Sequence, residues 1–148
     1  LPKRFNLSYI DSEGKEKQPV MLHRVLLGSL ERFIGALLEH YNAELPLWLA
    51  PTQALIIPVK DSVNEYAEKI RKTLEENSIR ADLDSRNETL DKRIRSAELN
   101  KIPYLAVVGE REAKSGNISV RKKGKGDIGT MSLDDFVKQL KEETEAKK

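Results

Sequence analysis

From Ala54 onward, short apolar runs alternate with longer stretches whose apolar residues recur every three or four positions, and this rhythm constrains the fold more than any other feature. ALIIPVK (54–60) reads as a buried strand, with Pro58 near its end where no ladder bond is required. Asp61 and Ser62 are N-cap residues for a helix carrying Val63, Tyr66, Ile70 and Leu74 and ending near Asn77. IRADLD reads as a second strand, and LDKRIRSAEL as a helix with Leu90, Ile94 and Ala97 on one side. PYLAVVG is a third strand closed by Gly109, and NISVRKK a fourth leading into the turn GKGDIG. SLDDFVKQLKEE is a helix opened by Ser132 and carrying Leu133, Phe136, Val137 and Leu140, with the EETEAKK tail expected to be disordered. Such alternation predicts an α/β domain with a mixed or largely parallel sheet flanked by helices.

The first third of the chain follows another pattern. FNLSYI alternates apolar and polar residues, DSEGKEKQ supplies turn chemistry around Gly14, and PVMLHRVLL resumes as an apolar run, which together predict a hairpin. After Gly28 and Ser29, the residues Leu30, Phe33, Ile34, Leu37, Leu38 and Tyr41 mark one face of a helix. Pro46 and Pro51 cannot continue it. The expected division is therefore 1–45 and 46–148.

The net charge of +2 is too balanced for a chain that coats nucleic acid nonspecifically, so any such binding must come from local patches. Cysteine is absent, which excludes disulfides and thiolate metal sites built from this chain alone. No apolar run is long enough to span a membrane, and LPKRFNLSYI lacks a signal-peptide core, so a cytoplasmic protein is expected. The chain opens without Met in mid-pattern, which suggests truncation.

Two groups of residues bear on chemistry. Arg32 falls in the first helical turn, where a cation meets the positive end of the macrodipole, and it points away from the apolar stripe. It is either a surface arginine paired with Glu31 or a fork of donors for an anion. His23 is expected in the preceding strand, and with only His40 as a second histidine, a metal site from this chain alone is improbable. The second group comprises SRNE (85–88), the basic helix face with Arg93 and Arg95, GEREAKSG (109–116) and SVRKKGKG (119–126). Asn87, Glu112 and Arg121 brought together offer an amide, a carboxylate and a guanidinium, a set suited to base edges. Lys122, Lys123 and Lys125 beside them suit phosphates. A solvated, charged hairpin is the alternative.

HRVLLGSLERFIGALLEHY resembles the third signature motif of class II aminoacyl-tRNA synthetases, and PVMLHR before it with PLWLAPTQ after it resembles the threonyl family. The likeness continues through SRNETLDKRIR, KIPYLAVVGERE, SGNISVRKKGKGDIG and SLDDFVKQL, which resemble that family's anticodon-binding domain, so it covers nearly the whole chain. The resemblance implies a class II anticodon-binding α/β fold preceded by a hairpin-plus-helix remnant of an antiparallel catalytic domain. It implies a threonine-tRNA ligase, a homodimer when complete, that uses ATP with magnesium and threonine as substrates.

By the same resemblance, Arg32 matches the arginine on the ATP phosphates and Ser29 lies beside the aminoacyl pocket. His23 matches one of three protein ligands of a zinc ion that holds the amino and hydroxyl groups of threonine. Asn87, Glu112 and Arg121 match positions that read the anticodon loop of threonine tRNA, and Arg95 a further basic position near it. The first two signature motifs and the other zinc ligands are absent, so this chain is not expected to aminoacylate alone. The rival readings are a prolyl, histidyl or glycyl synthetase of the same subgroup and a noncatalytic adaptor. The histidine before the motif and the SLERFIG wording favour the threonyl family.

Overall fold

The structure, a computed structural model, describes residues 1–147. The chain separates into two compact units, Leu1–Leu37 and Leu38 onward.

In the first unit, β1 (Tyr9–Ile10) pairs antiparallel with β2 (Glu16–Lys17). Asp11 ties the turn between them, its Oδ1 accepting from the amides of Glu13 and Lys15, both at 2.9 Å. The expected second strand, PVMLHRVLL, does not form. Residues 19–27 carry no strand, Leu22 is 89% exposed, and His23 lies exposed in irregular chain. A ribbon of two residues per strand presents no layer against which an apolar run is buried, and pairing without burial does not hold a strand. Helix α1 spans Leu30–His40, as its apolar spacing predicts, so that its last three residues fall in the second unit, and it contains no buried residue.

The second unit is built on a five-stranded sheet of order β4-β3-β5-β6-β7. Strands β3 (Ala54–Pro58), β4 (Ala81–Leu83) and β5 (Tyr104–Val108) run parallel, and β6 (Asn117–Lys122) and β7 (Gly126–Ser132) add antiparallel. The sheet is therefore mixed. Helices α2 (Asn64–Glu76), α3 (Leu90–Leu99) and α5 (Leu133–Glu145) occupy the expected segments. Asp61 and Ser62 do not cap α2 directly but form a 3₁₀ turn, Asp61–Val63, ahead of it. Strand β7 replaces the predicted turn GKGDIG, and a short helix α4 (Glu110–Ser115) was not anticipated. The tail expected to be disordered remains helical through Glu145.

Alternation along the strands divides the core in two. Ile56, Tyr104, Ala106, Val108, Ile118 and Val120 face α2 and α5, where they meet Ile70, Leu74, Phe136 and Leu140 in one dry cluster. Tyr104 and Phe136 pack edge to face with centroids 5.7 Å apart. Burying each such side chain contributes roughly 1.5–3 kcal/mol. The opposite face holds a smaller cluster of Leu55, Ile57, Ala97 and Leu105, with Leu90, Ile94 and Ile102 against it.

The segment before β3 belongs to this unit through specific bonds. Leu47 is buried in the larger cluster, and its carbonyl accepts from Gln53 Nε2 at 3.0 Å. Arg80 donates to the carbonyls of Ala50 and Trp48, each at 2.9 Å.

Candidate nucleic-acid interface

The loop between β4 and α3 carries Asn87, and charged side chains fix its path. Asp84, 6% exposed, accepts from Arg86 Nε at 2.9 Å and Arg86 Nη2 at 2.7 Å. The Arg86 guanidinium holds the Asp84 carboxyl below the usual carboxylate range. Arg93 Nη1 donates to the Asp84 carbonyl at 3.0 Å, and Lys92 pairs with Glu88 at 2.6 Å. Held at both ends, the loop presents Asn87 to solvent.

Glu112 stands in the first turn of α4 and folds back so that its Oε2 accepts from the Gly109 amide at 3.0 Å. A Cβ at Gly109 would lie 2.7 Å from that oxygen, so the glycine is what admits the carboxylate. Asn87 and Glu112 thus sit beyond the carboxyl ends of the parallel strands.

Arg121 lies on β6 opposite Leu105 and therefore on the α3 side of the sheet. A register shift between Val120 and Arg121 absorbs an extra residue on β7, where Gly129 takes φ +103°. Arg121, Glu98, Ile102, Leu105 and Lys123 line a hollow of about 370 Å³, and Arg121 Nε is buried without a hydrogen-bond partner. Arg95 is exposed on α3, three residues before Glu98 and so on the same strip of helix.

The structure does not gather Asn87, Glu112 and Arg121 around one point. The Gly109 amide capped by Glu112 is four residues along from Leu105, the partner of Arg121, or roughly 13 Å. The trio marks a stretch of surface, which matches an extended strand of nucleotides better than a single small molecule. Two of the three lysines expected to hold phosphates already hold carboxylates. Lys122 pairs with Glu143 at 2.7 Å and Lys123 with Glu44 at 2.8 Å. Among the described residues, Arg95, Arg111, Lys114, Arg121 and Lys125 have no carboxylate partner. The outer face of α2 is the reverse, with Arg71 bridging Glu68 and Glu75.

Arg93 departs from its expected place on the basic helix face. It is 5% exposed, because its guanidinium turns inward to the Asp84 carbonyl. A second ion cluster was also missed from the sequence. Glu44 pairs with Lys101 and Lys123, both at 2.8 Å, and these cations lower its pKa to about 2. Only the i to i+57 and longer separations of three-dimensional contact bring these groups together, and no local spacing reports them.

In the first unit, the Ser29 hydroxyl accepts from the Arg32 amide at 3.4 Å and donates to Glu31 at 2.8 Å. Glu31 therefore offsets the dipole, and no carboxylate among the described residues pairs with the Arg32 guanidinium. Among the described residues no group of three or more His, Cys, Asp or Glu side chains is placed to hold a metal ion. The exposed His23 does not by itself fit a zinc site. No helix among the described residues is long and apolar enough to cross a membrane.

The sheet is mixed, with α2 and α5 on one face and α3 with Arg121 on the other, and residues 53–143 match the family described as "Anticodon binding domain". The chain belongs to that family. Its full length is similar to threonine–tRNA ligases. It is 51% identical to that of Sulfurihydrogenibium sp. (strain YO3AOP1) over 142 residues, covering 96% of this chain and 22% of the relative. It is 50% identical to that of Aquifex aeolicus (strain VF5) over 147 residues, covering 99% and 23%. The chain thus spans less than a quarter of the length of these relatives. The fold is also similar to the crystal structure of the RNA binding domain of threonyl-tRNA synthetase from Cryptosporidium parvum Iowa II, with TM-score 0.73 and 30% identity over 95% of this chain and 36% of that one.

Proposed function

We propose that this chain is the C-terminal part of a threonine-tRNA ligase and that its second unit reads the anticodon loop of threonine tRNA. The observation that carries the reading is the buried, unpartnered Arg121 Nε, on a domain of the anticodon-binding family. Glu112 suits guanine, since a carboxylate accepts from that base's N1 and N2 donors. Asn87 and Arg121 take neighbouring base edges, and Arg95 with Lys125 holds phosphates, which position the strand without specifying it.

Residues 1–45 are assigned to the end of the catalytic domain and 46–148 to the anticodon-binding domain. In the complete ligase, cytoplasmic and homodimeric, Arg32 meets the phosphates of ATP with magnesium and Ser29 lies beside bound threonine. His23 is assigned as one of three protein ligands of a zinc ion, the others lying outside this chain. Arg32 without a carboxylate partner supports the first of these roles.

The test is binding of the chain to a stem-loop with a threonine anticodon and to one with its central guanine replaced by adenine, at two salt concentrations. Base reading predicts a loss of about 1–3 kcal/mol for the replacement, reproduced by Glu112→Ala. Equal binding to both, collapsing in higher salt, would show that the surface holds phosphates alone.

A further inference from the structure

Two ammonium groups of the second unit converge on one atom. Lys101 Nζ and Lys123 Nζ each lie 2.8 Å from the same oxygen, Glu44 Oε1. Lys123 Nζ is buried, and among the described residues Glu44 is the one carboxylate paired with either lysine. Two cations closing on one oxygen is also the geometry that holds a phosphate. Here the chain supplies the anion itself. Lys123 follows Arg121 by two residues and lines the same hollow of about 370 Å³, so the filled anion site adjoins the surface proposed for RNA.

Both partners arrive on unfavourable backbone. Ala43, just before Glu44, takes φ +57°, and Lys101 itself takes φ +60°, a left-handed conformation that residues other than glycine and asparagine adopt at a cost. The return in stability is small, because the Glu44 side chain is half exposed and ion pairs open to solvent contribute little to folding. A contact reached through strained turns for so little stability is better accounted for by what it withholds. Left bare, the two lysines would take any nucleotide phosphate, and phosphate contacts carry no sequence information.

We propose that Glu44 is a specificity-determining residue, a built-in anion that keeps Lys101 and Lys123 from RNA phosphate. The proposal rests on the reading of the domain as one that takes the anticodon loop, and it adds to that reading a residue that touches no base. With Lys122 held by Glu143 and Lys123 by Glu44, Arg121 is left as the one unpaired cation lining its hollow among the described residues.

The experiment measures binding of the chain to the threonine anticodon stem-loop and to the loop with adenine for the central guanine, across a series of salt concentrations. Wild type, Glu44→Gln and Glu44→Gln/Lys101→Met/Lys123→Met are compared. Glu44→Gln is expected to steepen the fall of log K with log salt by about 1–2 for the two lysines freed. It is also expected to tighten binding of the adenine loop on the order of tenfold at the lowest salt, with the guanine loop, already held by its bases, gaining less. The triple variant is expected to return to the wild-type slope, since the lysines it lacks made no contact with RNA in the wild type. In the wild type, the side-chain ¹H–¹³Cε resonances of Lys101 and Lys123 are expected to stay in place when the adenine loop is added.

An unchanged slope in Glu44→Gln overturns the proposal, and anticodon reading stands if the wild type still tells guanine from adenine. A triple variant with a shallower slope than the wild type would put the lysines on RNA from the start and overturn it as well. A steeper slope in Glu44→Gln without discrimination by the wild type would support Glu44 as the guard and overturn base reading. Movement of the two lysine resonances in the wild type would show phosphate reaching them past Glu44, which decides against the proposal even if Glu44→Gln is poorly folded.

Discussion

The two faces of the five-stranded sheet are made by the same strands and serve opposite ends. Toward α2 and α5, Ile56, Tyr104 and Val120 are packed among apolar neighbours, and the lone cation in this direction on β6, Lys122, is matched by Glu143. Toward α3 the helix covers Leu55, Ile57 and Leu105 and leaves β6 open, with Arg121 buried at Nε but unpartnered. Val120 and Arg121 are adjacent residues. Because successive strand side chains alternate between faces, stability and the recognition proposed for Arg121 fall to different residues of one segment without competing for them.

That separation is open to attack from the large effects downward. Phe136→Ala removes the ring that packs on Tyr104, and equilibrium denaturation should show a loss of about 3–5 kcal/mol. Discrimination between guanine and adenine stem-loops by the remaining folded protein should be unchanged, and a fall in it would break the comparison. Glu112→Ala is the mirror case, predicted to remove about 1–3 kcal/mol of discrimination while costing stability only on the scale of one lost helix cap, about 1 kcal/mol.

Ser132→Ala lies on the stability side. The Ser132 hydroxyl caps α5 by accepting from the Asp135 amide at 3.1 Å, so its removal should cost about 1 kcal/mol in denaturation and nothing in RNA discrimination. The smallest effect concerns Glu44, whose pKa of about 2 lies below its ordinary 4.5 through hydrogen bonds to Lys101 and Lys123. A depressed carboxylate stabilises the fold fully above its unfolded pKa, and the contribution is lost as pH falls from about 4.5 toward 2. A carbon-detected titration of Glu44 should show that low midpoint, and Lys123→Met should raise it.

The stability side was largely readable in advance, for a physical reason. Ile70, Leu74, Phe136 and Leu140 recur at the period of a helix, and ALIIP and YLAVV are runs only a buried strand tolerates. Strand β7 was lost because Gly126, Asp127 and Gly129 break its alternation, as an edge strand with a register shift permits. Helix α4 is too short for a period to show. Residues 19–27 look like a strand because they are apolar, yet a strand exists only where something pairs with it and covers it.

The residues proposed for recognition carry a weaker signature in the sequence. The residue types alone offered Asn87, Glu112 and Arg121 as a set suited to base edges and Arg95 as part of a basic helix face, with a solvated, charged hairpin as the alternative, and only likeness to a family gave each of them a role. Arg93 shows the limit of pattern reading. By position it belongs to a basic helix face, and by contact it belongs to the interior, because a carbonyl nine residues away claims it. Nothing in the spacing of LDKRIRSAEL distinguishes Arg93 from Arg95.

The Glu112 carboxylate is tethered within the folded domain. One carboxylate oxygen is anchored on the Gly109 amide, and the other stays available. Freezing a free glutamate side chain costs about 1.5–2 kcal/mol of rotamer entropy, a cost that folding has here absorbed before any RNA arrives. Gly109→Ala would crowd that oxygen and return the side chain to its rotamers, so the guanine proposed as its partner would meet a moving acceptor in place of a fixed one.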